Sequence, residues 1–195
     1  LPEAGYPVLN IDNVGGAVAM TRHLLEAGHQ HIAFIGGPED NFDARERLRG
    51  FRSAVSKHPS HVTTLELQGD FDESSGYEAG KRLLAATQRP DAVFAANDMM
   101  ALGCLYALNE AGVVVPDQVA LAGFDDIPLA RFVHPTLTTM RVNIAELGGL
   151  AVTRLLAAIE SAEHQVHAPQ ILVPELIVRA SSIPARSRKP HADSS

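Results

Sequence analysis

Two spacings of apolar residues alternate along this chain. Residues 8–12 form a short apolar run that ends in polar residues, which predicts a buried strand. Val14, Ala17, Val18, Thr21, Leu24 and Leu25 then recur at helical spacing, with Asp12 or Asn13 as N-cap and Gly28 as the stop. Residues 32–35 predict the next strand, closed by Gly36, Gly37 and Pro38. Leu48, Phe51 and Val55 mark a helix over residues 43–57, which His58, Pro59 and Ser60 break. A strand over 62–67 leads into Gly69, Asp70 and Phe71. Ser75 and Glu78 have capping-box spacing ahead of a helix through Leu83 and Leu84. Residues 92–96 form a wholly apolar strand, and Asp98 is placed to cap a helix that Gly112 ends. Residues 119–124 and 137–142 read as extended, 144–159 as a long apolar-striped helix and 171–178 as a final strand. From Pro184 onward the chain is rich in Pro, Ser and Arg without any period, which predicts a mobile tail.

Strands alternating with helices of this length predict an α/β fold with a parallel sheet covered on both faces. In such sheets ligands sit outside the C-terminal ends of the strands, where helix N-termini and loop amides converge. The residues that follow strands therefore carry the most weight: 36–43, 69–71, 97–98 and 125–126.

Composition narrows the class. At about 150 residues per domain, 195 residues make one large domain or two small lobes. Hydrophobic residues at 46% and charged residues at 20% fit neither a disordered chain nor a coiled coil. No apolar run approaches the roughly 18 residues that span a bilayer. Cys104 stands alone, so no internal disulfide framework is available and a reducing, cytoplasmic compartment is expected. The N-terminus lacks the charged and apolar regions of a signal peptide. Net charge is −7 with no basic stripe, so any grip on nucleic acid must come from outside this sequence.

Catalytic signatures are missing. There is no phosphate loop, no dinucleotide-binding glycine turn and no nucleophile elbow, so no enzyme activity, cofactor or metal is expected. Cys104 falls in an apolar helical stretch and suits a core position. His29 and His31 lack the further ligands that a metal needs, and a solvated helix-to-strand turn accounts for both. Asp98, Asp125 and Asp126 share a strand-end crevice and would suit Mg²⁺ and phosphotransfer, but helix capping by Asp98 and turn formation by Asp126 compete with that reading. Asp125 is the least explained by local structure, and a buried carboxylate there would accept hydrogen bonds from vicinal hydroxyls. Arg45, Arg47, Arg49 and Arg52 cluster at one helix start. Arg47 adjoins the apolar stripe and points toward the crevice as a bidentate donor, whereas Arg45, Arg49 and Arg52 form a solvated face with Glu46. Phe71 either stacks on a ligand ring or fills the core. Asn97 either meets a ligand or serves turn chemistry.

The segments IDNVGGAVAMTRHLLEAGHQHIAFIGGP, ARERLRGF, QGDF, SGY, RPDAVFAANDMMALGCLYALNEAGVVVPDQVALAGFDDIPLA, HPTLTTMRV and ELIVRAS follow one another in this order. Over about residues 7–182 the chain resembles the effector-binding part of LacI/GalR-family transcriptional regulators. The resemblance implies a periplasmic-binding-protein-like type I fold, with two Rossmann-like lobes and a small-molecule effector between them. It implies that 13–142 and 171–182 form the C-terminal lobe, that 1–12 and 143–170 belong to a partial N-terminal lobe, and that 183–195 are a disordered tail. Effector contacts are implied for Arg47, Phe71, Asn97 and Asp125, with Asn41 and Asp43 on the loop that tunes effector choice. Leu102, Tyr106 and Phe132 are implied in a homodimer contact. A sugar or nucleoside effector is expected, with DNA bound only through a helix-turn-helix that this sequence does not contain. A periplasmic sugar-binding protein of the same fold is the alternative.

Overall fold

The computed structural model describes residues 9–160 and 170–183. The tail expected from Pro184 lies outside the described residues. Strand β1 (Leu9–Ile11) precedes helix α1 (Asn13–Glu26), β2 (His31–Gly36), α2 (Phe42–Ser56), β3 (Thr63–Gln68) and α3 (Glu73–Leu84). Then come β4 (Ala92–Ala95), α4 (Asp98–Glu110), β5 (Ala120–Ala122), a 3-10 turn (Pro128–Arg131) and β6 (Thr139–Arg141). Helix α5 (Ile144–Glu160), β7 (Gln170–Leu172), β8 (Glu175–Ile177) and a second 3-10 turn (Ala180–Ser182) complete the order.

Strands β3, β2, β4 and β5 form one parallel sheet in that order. Strand β6 continues it through two parallel bridges, Ala122 to Thr138 and Asp125 to Arg141, and pairs antiparallel with β8. Strands β1 and β7 pair separately, in parallel. Ile32, Ala33, Phe34 and Ile35 of β2 and the whole of apolar β4 are buried because helices cover both faces. Phe34 of β2 stacks on Phe51 of α2 at 4.9 Å and meets Phe94 edge-on at 5.3 Å. Its neighbour Ile35 points to the other face, where Met100 of α4 lies. Helices α1 and α2 thus cover one face, and α3 and α4 the other.

Local signals placed most boundaries. Asp12 caps α1 by accepting from Gly15 N at 2.8 Å, and Gly28 and Gly112 end their helices with positive φ of 96° and 70°. Three readings change. The cap of α3 is Asp72, which accepts from Ser75 N, so Ser75 and Glu78 make no capping box. The cap of α4 is Asn97, accepting from Met100 N at 2.9 Å, which releases Asp98 for a tertiary role. The segment expected as one strand over 171–178 splits at Val173 and Pro174 into β7 and β8, because each half pairs with a different strand. Helix α5 leaves Ile144, Val152, Leu155, Leu156 and Ile159 exposed.

Helices α3 and α4 cross at glycines. A Cβ at Gly103 would overlap the Glu73 carbonyl oxygen, and one at Gly76 would overlap backbone atoms of Met100. Backbone cannot yield as a flexible side chain would. Gly103→Ala is therefore expected to lower unfolding stability by about 2 kcal/mol, read from the urea midpoint at constant slope. An unchanged midpoint would show that the crossing tolerates the extra carbon.

Candidate functional site

Residues that follow β3, β4 and β5 converge on one guanidinium. Arg47, one turn into α2, is 5% exposed. Its Nε donates to Asn13 Oδ1 at 2.8 Å, and its Nη1 donates to the Ala96 carbonyl at 2.6 Å and lies 3.3 Å from Asp125 Oδ1. Its plane lies over the Phe124 ring at 3.9 Å, with the Phe71 ring 5.9 Å away. Burial lowers the Arg47 pKa, and the charges of Asp125 and Asp43 oppose that shift. The core-facing stripe of α2 carries Arg47 inward, while Arg49 pairs with Glu46 and Arg52 with Glu66 on the outer face.

Asp125 and Phe71 both hold left-handed backbone, at φ 111° and 65°. Such conformations cost about 1–3 kcal/mol and persist only where surrounding contacts enforce them. The Asp125 amide donates to Met140 O at 2.7 Å. Asn97 Nδ2 donates to the Phe71 carbonyl at 2.8 Å and fixes that residue while Asn97 Oδ1 caps α4. The Phe71 ring packs on Gly37, where a Cβ would collide with it. Desolvation pushes the Asp125 carboxyl up to about 6 against the pull of Arg47.

Of the six residues singled out for a ligand, Arg47 and Asp125 form an ion pair, and Phe71 and Asn97 are hydrogen-bonded to each other. Asp43 joins Arg47 only through Asn13, whose Nδ2 donates to Asp43 Oδ1 at 2.9 Å. Asn41 accepts from Ala44 N at 3.0 Å as the cap of α2. Two partners escaped the sequence reading. Asn13 read as a local cap and Phe124 as the end of a strand. Two cap-capable residues in a row, Asp12 and Asn13, of which a helix start uses one, were the available signal for Asn13. Leu102 and Tyr106 border an open apolar trough with Tyr77, Met99 and Leu129, whereas Phe132 is exposed but does not line it.

The three strand-end aspartates do not converge as metal ligands. Asp126 is enclosed by Arg131, Arg141 and Arg179, at 3.3, 2.7 and 2.6 Å. Asp98, fully buried, accepts from Thr139 Oγ1 at 2.6 Å and Ile127 N at 2.9 Å. Among the described residues no group of three His, Cys, Asp or Glu is placed to hold a metal. His29 pairs with Asp91 at 3.3 Å.

Burial pushes the Asp98 carboxyl up to about 7, despite hydrogen bonds from Thr139 and Ile127 that pull it down. The folded chain therefore holds this proton more tightly than the unfolded chain. The resulting stabilisation is full below the unfolded value and lost as pH rises through about 7. Asp98→Asn keeps an acceptor for Ile127 N and removes the ionisation. The gap in thermal midpoint between this variant and the native chain should open in the variant's favour from about pH 5 to about pH 8. A gap independent of pH would exclude a titrating Asp98.

A parallel α/β lobe with a buried arginine, a carboxylate and an aromatic ring at its strand ends has the build of a small-molecule-binding domain of the periplasmic-binding-protein kind. Residues 21–182 match the family described as periplasmic binding protein-like domain. The chain belongs to that family, on the branch of the LacI-type regulators. It is 41% identical over 170 residues to the ribose operon repressor of Escherichia coli K12, covering 87% of this chain and 51% of the relative. It is 37% identical over 187 residues to the transcriptional repressor PurR of Haemophilus influenzae, covering 92% and 54%. A LacI-family regulator from Enterococcus faecium, solved with bound ribose, superposes with a TM-score of 0.84 at 30% identity, covering 90% of this chain and 65% of that one. The chain thus spans about half the length of the curated relatives it matches. Among the described residues no helix is long and apolar enough to cross a membrane.

Proposed function

We propose that this chain is the effector-sensing part of a cytoplasmic LacI-type transcriptional regulator, and that it takes a neutral polyhydroxylated ligand, a sugar or nucleoside, beside Arg47. The observation that carries this reading is the pairing of buried Arg47 with half-buried Asp125, with Phe71 alongside. One cation flanked by the carboxylates of Asp125 and Asp43 leaves no net positive charge for a phosphate. A fork of N–H donors beside a carboxylate suits adjacent hydroxyls, and an aromatic face suits the C–H face of a sugar or a base ring. The ribose held by the Enterococcus faecium relative supports the same class.

In this reading residues 13–142 and 171–182 are one lobe, and 1–12 with 143–170 are part of a second. The separate β1–β7 pairing supports a second lobe that includes β1, and it draws Gln170–Leu172 toward that lobe. Two copies associate through Leu102, Tyr106 and Phe132, and DNA is read by a helix-turn-helix outside this chain.

A thermal-shift series with D-ribose, other pentoses and hexoses, nucleosides and MgCl₂ tests the proposal. A one-site ligand at about 100 times its Kd adds about 2.7 kcal/mol. A shift with one sugar or nucleoside class is expected. A shift with Mg²⁺ alone, or with none of the compounds, would overturn the reading.

A further inference from the structure

Asn13 is a buried polar side chain at the crevice, at 1% exposure. It stands at the first position of α1, directly after the β1 strand. Its amide meets opposite charges with its two ends. The carbonyl oxygen accepts from Arg47 Nε at 2.8 Å, and the NH₂ donates to Asp43 Oδ1 at 2.9 Å, with Ile11 O at 3.4 Å as a longer contact. The two bonds fix which way the amide points. Arg47 and Asp43 themselves form no direct ion pair among the described residues. Arg47 Nη2 and Asp43 Oδ2 are therefore left without a protein hydrogen bond there.

We propose that Asn13 is a positioning residue for the ligand site: its neutral amide holds Arg47 and Asp43 apart, so that a donor on one and an acceptor on the other remain available to a ligand bearing several hydroxyls. This rests on the ligand class inferred above and adds the residue that sets the spacing of its two charged contacts. A charge at this position would destroy the arrangement. A carboxylate there would hold Arg47 as a direct ion pair and repel Asp43. An apolar side chain would let Arg47 and Asp43 neutralise each other. Exchanging the two side chains preserves both hydrogen bonds, because the carboxylate at position 13 would accept from Arg47 and from an amide at position 43.

The test compares the native chain, Asn13→Asp and the exchange Asn13→Asp with Asp43→Asn. D-ribose and a nucleoside serve as probes in titration calorimetry, at a temperature well below every variant's thermal midpoint. Asn13→Asp should bind the active probe about ten-fold more weakly or worse, a loss of about 1.4 kcal/mol. The exchange should recover most of the affinity and of the midpoint. A bystander that merely supports the fold would shift the midpoint and leave the affinity of the folded protein alone. Unaltered affinity in Asn13→Asp, or an exchange that recovers nothing, would overturn the role of Asn13 alone. A native chain that takes up neither probe would instead overturn the ligand reading, and this role with it.

Discussion

Asp126→Ala is expected to destabilise the chain by about 3–5 kcal/mol, the cost of stripping a buried ion cluster of its shared anion. The Asp126 carboxylate has 1% side-chain exposure and receives three guanidinium groups. Arg141 comes from β6, Arg179 from the strand-end after β8, and Arg131 from the 3-10 turn after β5. Truncation leaves Arg179, with a side chain only 13% exposed, facing the vacated space without its counter-charge. Arg131 and Arg141 are more exposed and recover water, so Arg179 carries most of the penalty. The residue also sits at φ 54°, which aspartate tolerates better than alanine. Urea unfolding followed by circular dichroism would measure the loss. Asp126→Asn keeps the shape and the turn preference and should fall between the native chain and Asp126→Ala. Burial alone would raise the Asp126 pKa, but the hydrogen bonds from Arg141 and Arg179 hold it below the usual value. Its contribution is therefore present above the ordinary carboxylate range and lost as pH falls through the lowered value. A loss under about 1 kcal/mol for Asp126→Ala, the level of an exposed ion pair, would show that the three arginines find other partners.

Arg47→Ala is the second large effect, and it falls on binding as well as stability. Removing the guanidinium strips Asn13 Oδ1 and the Ala96 carbonyl of their donor and Asp125 of its counter-charge. Each buried acceptor left unpaired costs about 1–3 kcal/mol, so unfolding stability should drop by about 2–5 kcal/mol in total. Affinity for the ligand found in the thermal-shift series should fall about a hundred-fold or more, since about 2–3 kcal/mol of charge-assisted hydrogen bonding vanishes. Arg47→Lys keeps the charge but presents one compact ammonium in place of the planar fork. It should recover part of the stability and little of the affinity. Calorimetric titration beside urea unfolding separates the two. Affinity that survives Arg47→Ala would remove this side chain from the ligand site.

The elements that were legible share a short range. Asp12 caps α1 across three residues, and Gly28 and Gly112 end helices through their own positive φ. Periodicity of about 2 and about 3.6 reports burial because it acts within one element. The same local logic misplaced the caps of α3 and α4, since Asp72 and Asn97 compete with equally plausible neighbours one to three residues away. The apolar run over 171–178 could not announce its split, because pairing with β1 or with β6 is settled by partners more than thirty residues distant.

Residue type and position along the chain by themselves determined the α/β alternation, the strand ends where a ligand would gather, and the inward turn of Arg47. These follow from side-chain polarity read against element geometry. Tertiary structure alone decided how those groups are paired. Asn13 reaches Asp43 and Arg47 across 30 and 34 positions, and Asp126 reaches Arg141 and Arg179 across 15 and 53. Asp125 and Asp126, adjacent in sequence, thus take opposite roles. One faces Arg47 in the crevice with its carboxyl raised, and the other is locked among three arginines with its carboxyl lowered. Hydrogen bonds and ion pairs act over a few ångströms, so they are set by which elements the fold brings side by side, and a linear pattern carries no record of that.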